Sequence, residues 1–171
     1  MELTKKERTI KYVVYAVIIA VLSLLQNVGG LWFEIGGARC FFLIPAAVLL
    51  SLDEDEKTAA LIGLFAGLLW DITAAHHMGF NCLFIMVSCY IMSVLVTHLF
   101  RATFWVGTVG AVLFTFLYVL IYWLIFVLIK GGDGSGVAFF NFYLPSFFYT
   151  AVMTVVMNIA FVLLKRKLNK A

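Results

Sequence analysis

Long apolar runs, separated by short charged or glycine-rich breaks, leave this chain few ways to fold. A bilayer's hydrocarbon core is about 30 Å thick and takes roughly 20 apolar residues to cross as a helix. Runs of about that length recur from Tyr12 to Leu164 and read as spans over 12–28, 38–52, 58–75, 80–100, 102–129 and 142–164. The second is short and holds Pro45, so it is expected to be tilted, kinked or only partly inserted. The fifth is longer than the core is thick and must tilt or protrude. Between the spans lie Gly29-Gly30 with 34–37, the acidic run Asp53-Glu54-Asp55-Glu56 with Lys57, the link His76-His77-Met78-Gly79, Arg101, and the glycine-rich stretch 130–137. Acidic residues just before an apolar helix also suit its N-terminus, where they offset the helix dipole. The expected fold is all-α: a polytopic membrane protein, one compact bundle of six transmembrane helices in a single domain over 1–171.

Charge supports this reading and orients it. The chain is 64% hydrophobic and 12% charged, against about 25% charged in ordinary soluble domains, and water cannot face so much apolar surface. The net charge of +3 would hint at nucleic-acid binding in a soluble protein. Here the cations gather at span ends instead, and no nucleic-acid partner is expected. With six spans and a cytoplasmic N-terminus, the cytoplasmic segments hold Lys5, Lys6, Arg8, Lys11, Lys57, Arg101, Lys165, Arg166, Lys167 and Lys170. The opposite side holds only Arg39 and Lys130. Lysine and arginine near span ends favour the cytoplasm, so both termini are expected there. Five spans would place the basic C-terminus outside. The charged start and first apolar run resemble a signal peptide, but no small-x-small cleavage pattern follows, so the run reads as an uncleaved span.

Little in the sequence looks like reaction chemistry. Cys40, Cys82 and Cys89 show no CxxC spacing, and small apolar residues within helices are the expected reading; a Cys40–Cys82 disulfide is the less favoured alternative. His76-His77 with Cys82 has poor ligand spacing, so neither a metal site nor any cofactor is expected. No nucleophile–base pair, paired carboxylates or phosphate-cradling glycine loop is visible, and the chain does not read as an enzyme. Trp32, Trp70 and Trp105 fall near predicted interfaces and suit an aromatic belt. Thr150, Thr154 and Asn158 share a stripe suited to hydrogen bonding across helices. Two more small or polar stripes, Thr103, Gly107, Ala111 and Thr115, and Cys89, Ser93 and Thr97, read as packing.

The third span carries the clearest pattern. Ala59, Gly63, Gly67, Asp71 and Ala75 recur every four residues and so line one helix face. Glycines at this spacing let a neighbouring backbone approach closely, either within the chain or from a partner helix. Asp71 lies twelve residues from Ala59, roughly 18 Å along the helix, toward the outer end. A charge at the helix centre costs about 2.5–3.5 kcal/mol on insertion scales. The cost is lower near the interface, yet a partner is still expected. Arg39, His76 and His77 are predicted on the same side, so these four residues form a candidate polar cluster, read as an ion pair or hydrogen bond clamping helix ends, with proton relay or ligand binding as the less favoured alternative.

Gly63-x-x-x-Gly67-Leu68-Leu69-x-Asp71, followed by Gly79-Phe80-Asn81 at the head of the next span, resembles the MreD family of bacterial rod shape-determining membrane proteins. That family's pattern is a Gly-Leu-Leu-x-Asp helix end, a short link often containing Pro-Leu-Gly, and another span. Here the link reads His77-Met78-Gly79 and lacks the proline. The motif covers about twenty residues; length, basic termini and order of spans match over nearly the whole chain. The resemblance implies a non-enzymatic adaptor in the bacterial cytoplasmic membrane. It would act with MreC and the MreB filament, alongside RodA and a class B penicillin-binding protein, in elongating the lateral peptidoglycan wall. Gly63 and Gly67 are then the expected face for the transmembrane helix of MreC. An alternative is the substrate-binding subunit of an energy-coupling factor vitamin transporter, also a small six-span bundle. Ala16-x-x-x-Ala20 looks like the small-residue motif with which those subunits meet their coupling partner.

Overall fold

The computed structural model describes residues 5–28, 38–74, 79–129 and 135–168. Trp32, Ala75, His76, His77 and Lys130 lie outside them. Six helices and no β-strand occur among the described residues: α1 (Lys5–Asn27), α2 (Leu43–Ser51), α3 (Glu56–Ala74), α4 (Phe80–His98), α5 (Phe104–Leu128) and α6 (135–168). Two short stretches, Trp123–Leu128 in α5 and Phe139–Tyr143 in α6, are wound as π-helix. They face each other, with the Trp123 and Phe139 rings 4.9 Å apart.

Four helices are long and apolar enough to cross a membrane: α1, α4, α5 and α6. Their outward faces are apolar, with Val13, Val17, Val21 and Leu24 of α1 and Val152, Val156, Ile159 and Leu163 of α6 all exposed. Their inward faces carry Ser88, Ser93, Thr108, Thr115, Thr150, Thr154 and Asn158, all buried. Water would select the reverse. With hydrocarbon outside, polar groups are best served by turning inward, where they find partners. Thr115, Thr150 and Thr154 donate to carbonyls one turn back. Asn158 donates from α6 to the Phe104 carbonyl of α5 at 2.9 Å and to the Thr108 hydroxyl at 2.7 Å.

The second helix is the hub. At nine residues it is about 14 Å long, less than half the hydrocarbon core. Every one of its residues is buried, and it touches all five other helices. Its sequence, Leu43-Ile44-Pro45-Ala46-Ala47-Val48-Leu49-Leu50-Ser51, is apolar on all sides, and because it is too short to cross the core, its unpaired backbone ends find partners only inside the bundle. Pro45 falls in the first turn, where a missing N–H breaks no helical bond.

Residues 38–42, expected within the second span, are not helical. Non-helical backbone at membrane depth survives only where protein or cavity water satisfies it. Here side chains do so: Arg39 N–H donates to the Ser146 hydroxyl at 3.1 Å, Phe41 N–H to the Thr150 hydroxyl at 3.0 Å and Leu43 N–H to the Gln26 amide oxygen at 3.0 Å. At the other end, the Lys165 ammonium donates to the Leu49 carbonyl at 2.9 Å, capping carbonyls the helix leaves unpaired. Two other helices start seven residues earlier than expected: α1 at Lys5 rather than 12, and α6 at 135 rather than 142. The helix of the sixth span starts at 135, because Ser135, Gly136 and Val137 continue it rather than forming loop.

Candidate functional site

The α3–α4 hairpin holds the motif residues, and the structure assigns them to one another. Gly63 and Gly67 lie flat against α4. A Cβ on Gly67 would fall 2.3 Å from the Cys82 Cα, and one on Gly63 would fall 2.7 Å from the Ile85 carbonyl oxygen. Ala59, one turn below Gly63 on the same stripe, is fully buried. The expectation that Gly63 and Gly67 receive a helix from another protein is therefore corrected. Lipid gives helices little apolar drive to associate, so the tightest backbone approach is used where it is available, and α4, linked to α3 by a short turn, already fills the seam.

Asp71 locks the far end of this hairpin. One oxygen, Oδ2, accepts hydrogen bonds from the Gly79 and Cys82 N–H groups, both at 3.0 Å. These belong to the cap and third residue of α4, whose N-terminal N–H groups have no helical partner. The carboxylate thus caps a helix other than its own, with favourable dipole electrostatics. Gly79 takes φ 95°, a left-handed conformation that costs a residue with a Cβ roughly 1–2 kcal/mol. Asp71 is buried, and its Oδ1 has no hydrogen-bond partner. It does not pair with Arg39, which is exposed and tied through its backbone to Ser146. The proposed cluster thus reduces, within the described residues, to Asp71 and the α4 N-terminus; His76 and His77 lie outside them. Asp71→Ala removes the acceptor of two helix N-terminal amides and is expected to cost about 2 kcal/mol, with Asp71→Asn costing roughly half of that. Thermal unfolding of the detergent-purified protein measures both.

Beside this cap the structure adds a feature the sequence pattern did not single out. The Tyr118 hydroxyl of α5 donates to the Asn81 side-chain oxygen at 2.6 Å. The Tyr118 ring meets Phe41, Trp70, Phe80 and Phe84 with centroids 5.2 to 5.9 Å apart. Aromatic contacts of this kind add about 0.5–1.5 kcal/mol each beyond area burial, and they join α3, α4 and α5 to the approach of α2.

The opposite, basic end holds a second clamp, missed because the acidic run read as a break between spans and a helix N-terminus, with no ion-pair partners assigned. Glu54 is buried and ion-paired with Lys11 of α1. Its Oε2 accepts from the Tyr12 hydroxyl at 3.2 Å, and its backbone carbonyl accepts from Ser93 of α4 at 2.8 Å. Asp53 pairs with Lys165 of α6 at 2.6 Å. Asp55 caps α3, accepting the Thr58 hydroxyl at 2.8 Å, and this bond holds its carboxyl below the usual carboxylate range. A signal was present: Lys11, Tyr15 and Ile19 recur every four residues, and Tyr15 and Ile19 are fully buried. A lysine on that stripe has to meet an acid inside.

All three cysteines are free thiols, so Cys40 and Cys82 are not bridged. Among the described residues no group of three His, Cys, Asp or Glu side chains could hold a metal ion. Among the described residues, the polar groups named at the two ends join helices to one another. No family model, no curated protein and no solved structure matches the chain.

Proposed function

We propose that this chain is a non-catalytic adaptor of the bacterial cell-elongation machinery. It works in the cytoplasmic membrane beside MreC and the MreB filament, with both termini in the cytosol. One observation carries the reading: the residues behind the MreD resemblance, Gly63, Gly67, Asp71 and Gly79, form a single interlocked hairpin. Their spacing is thus a structural requirement of a rigid scaffold. Such a body suits an adaptor, which has to present a fixed surface. The partner helix of MreC then meets an outward face, since the glycine seam is filled. RodA and a class B penicillin-binding protein are reached through that assembly.

The test is depletion in a rod-shaped host together with recovery of the tagged protein from membranes in mild detergent. Rounded cells and co-purified MreC are expected. Rods of unchanged width with no MreC recovered would refute the adaptor role. The transporter alternative rests on Ala16 and Ala20, which are partly exposed on α1. Lost vitamin uptake with unchanged cell shape would select it.

A further inference from the structure

The backbones of α4 and α5, successive in the chain, come close at few places. The half-helix α2 contacts both and holds them apart. Gly107 of α5 seats it, and a Cβ there would meet Leu52 at 2.6 Å. Three residues on, Gly110 faces the Met92 thioether of α4. Above this floor, between Trp105, Val109 and Leu113 on one side and Phe100 at the mouth, lies an apolar cleft of about 390 Å³.

The mouth differs from the break at 52–55, where Glu54 is buried. Residues 97–103 are exposed throughout, with Leu99 at 68%, Phe100 at 52% and, just beyond, Trp105 at 71%. One cation, Arg101, sits among them. The ion pairs of this end join Lys11, Lys165 and His98 to Glu54, Asp53 and Glu56; Arg101 belongs to none of them. Exposed apolar side chains on a connector facing water are a liability. Around an arginine and a tryptophan at headgroup level they match a lipid, which places its chain between the helices and its phosphate on the guanidinium.

We propose that this cleft binds one anionic phospholipid from the leaflet at the basic end, with an acyl chain along Val109 and Leu113 and its phosphate on Arg101. Charge favours a lipid over a partner helix: an exposed cation next to Phe100 at the mouth suits a headgroup phosphate above an apolar chain. Met92 is unbranched and adaptable and can move off Gly110 to deepen the floor. Lipid binding here is independent of which protein the bundle meets.

Native mass spectrometry of the full chain tests the site, in mild detergent with equal phosphatidylglycerol and phosphatidylethanolamine. One retained phosphatidylglycerol is expected, preferred about fivefold, the effect of one basic side chain at a membrane surface. Arg101→Gln should bring the preference near one. Lys57→Gln, exposed at the same end but outside the cleft, should leave it unchanged. Val109→Trp fills the cleft and should lower retention of both lipids. A preference that survives Arg101→Gln, or that falls equally in Lys57→Gln, overturns the site. Full retention in Val109→Trp does so too.

Discussion

Lys11→Met is expected to destabilise the protein by about 3–5 kcal/mol, because it strips a buried carboxylate of its counter-ion. The Glu54 side chain is only 5% exposed and that of Lys11 15%, so water cannot replace the ammonium. The Tyr12 hydroxyl remains, but one neutral donor does not offset a buried charge. For a chain of this size such a loss lowers Tm by on the order of 10 °C. Removing both charges separates the cost of an orphaned ion from the worth of the pair. In Lys11→Met/Glu54→Leu most of the lost stability should return, since a buried pair is often replaceable by apolar residues at little cost. Thermal unfolding followed by size-exclusion chromatography in detergent reads both variants against the parent. A single variant within about 1 kcal/mol of the parent would mean that Glu54 is hydrated and the clamp is only a surface contact.

Gly67→Ala is expected to cost about 3 kcal/mol, at the top of the usual range for overpacking. What decides this is the atom the new methyl meets. At Gly67 it is the Cys82 Cα at 2.3 Å, with the Cys82 N and the Asn81 carbonyl oxygen at 2.8 Å. Backbone of a helix cannot turn aside, so α3 and α4 have to separate, and the Asp71 cap above them loosens. At Gly110 the contact is the end of Met92, Cε at 2.5 Å and Sδ at 2.7 Å; a rotamer change relieves it, and Gly110→Ala should cost less than about 1 kcal/mol. Gly63→Ala, against the Ile85 carbonyl oxygen at 2.7 Å, should fall between the two. Faster maleimide labelling of Cys82 in Gly67→Ala would report the opened seam. Equal stability of the 67 and 110 variants would show that the seam is looser than the distances say.

The two predictions concern residues of very different legibility. Gly67 was conspicuous, since its stripe with Ala59, Gly63 and Asp71 is periodic within one helix. What the stripe packs against was not readable, because spacing gives a face and no address. Glu54 was hidden in an acidic run whose members have different fates. Glu54 is buried and ion-paired, Asp53 reaches Lys165, and Asp55 caps its own helix. The stripe of Thr150, Thr154 and Asn158 was visible as a polar face. Thr150 proved to hold the non-helical backbone before α2 as well as its own helix.

The amino-acid order alone determined the solvent of this protein and the order of its helices. Transfer of a segment into hydrocarbon depends on its own composition, and helix ends depend on glycine, proline and charge close at hand. Tertiary structure decided that the second hydrophobic segment is a buried half-helix, that the glycine seam is filled from within, and which lysine meets which acid. The placing of the half-helix and the Lys165–Asp53 pair rest on groups 107, 109, 112 and 116 residues apart. In lipid no local preference selects such pairs; they form because each polar group left unpaired in hydrocarbon costs several kcal/mol, and only the folded bundle brings the partners within reach.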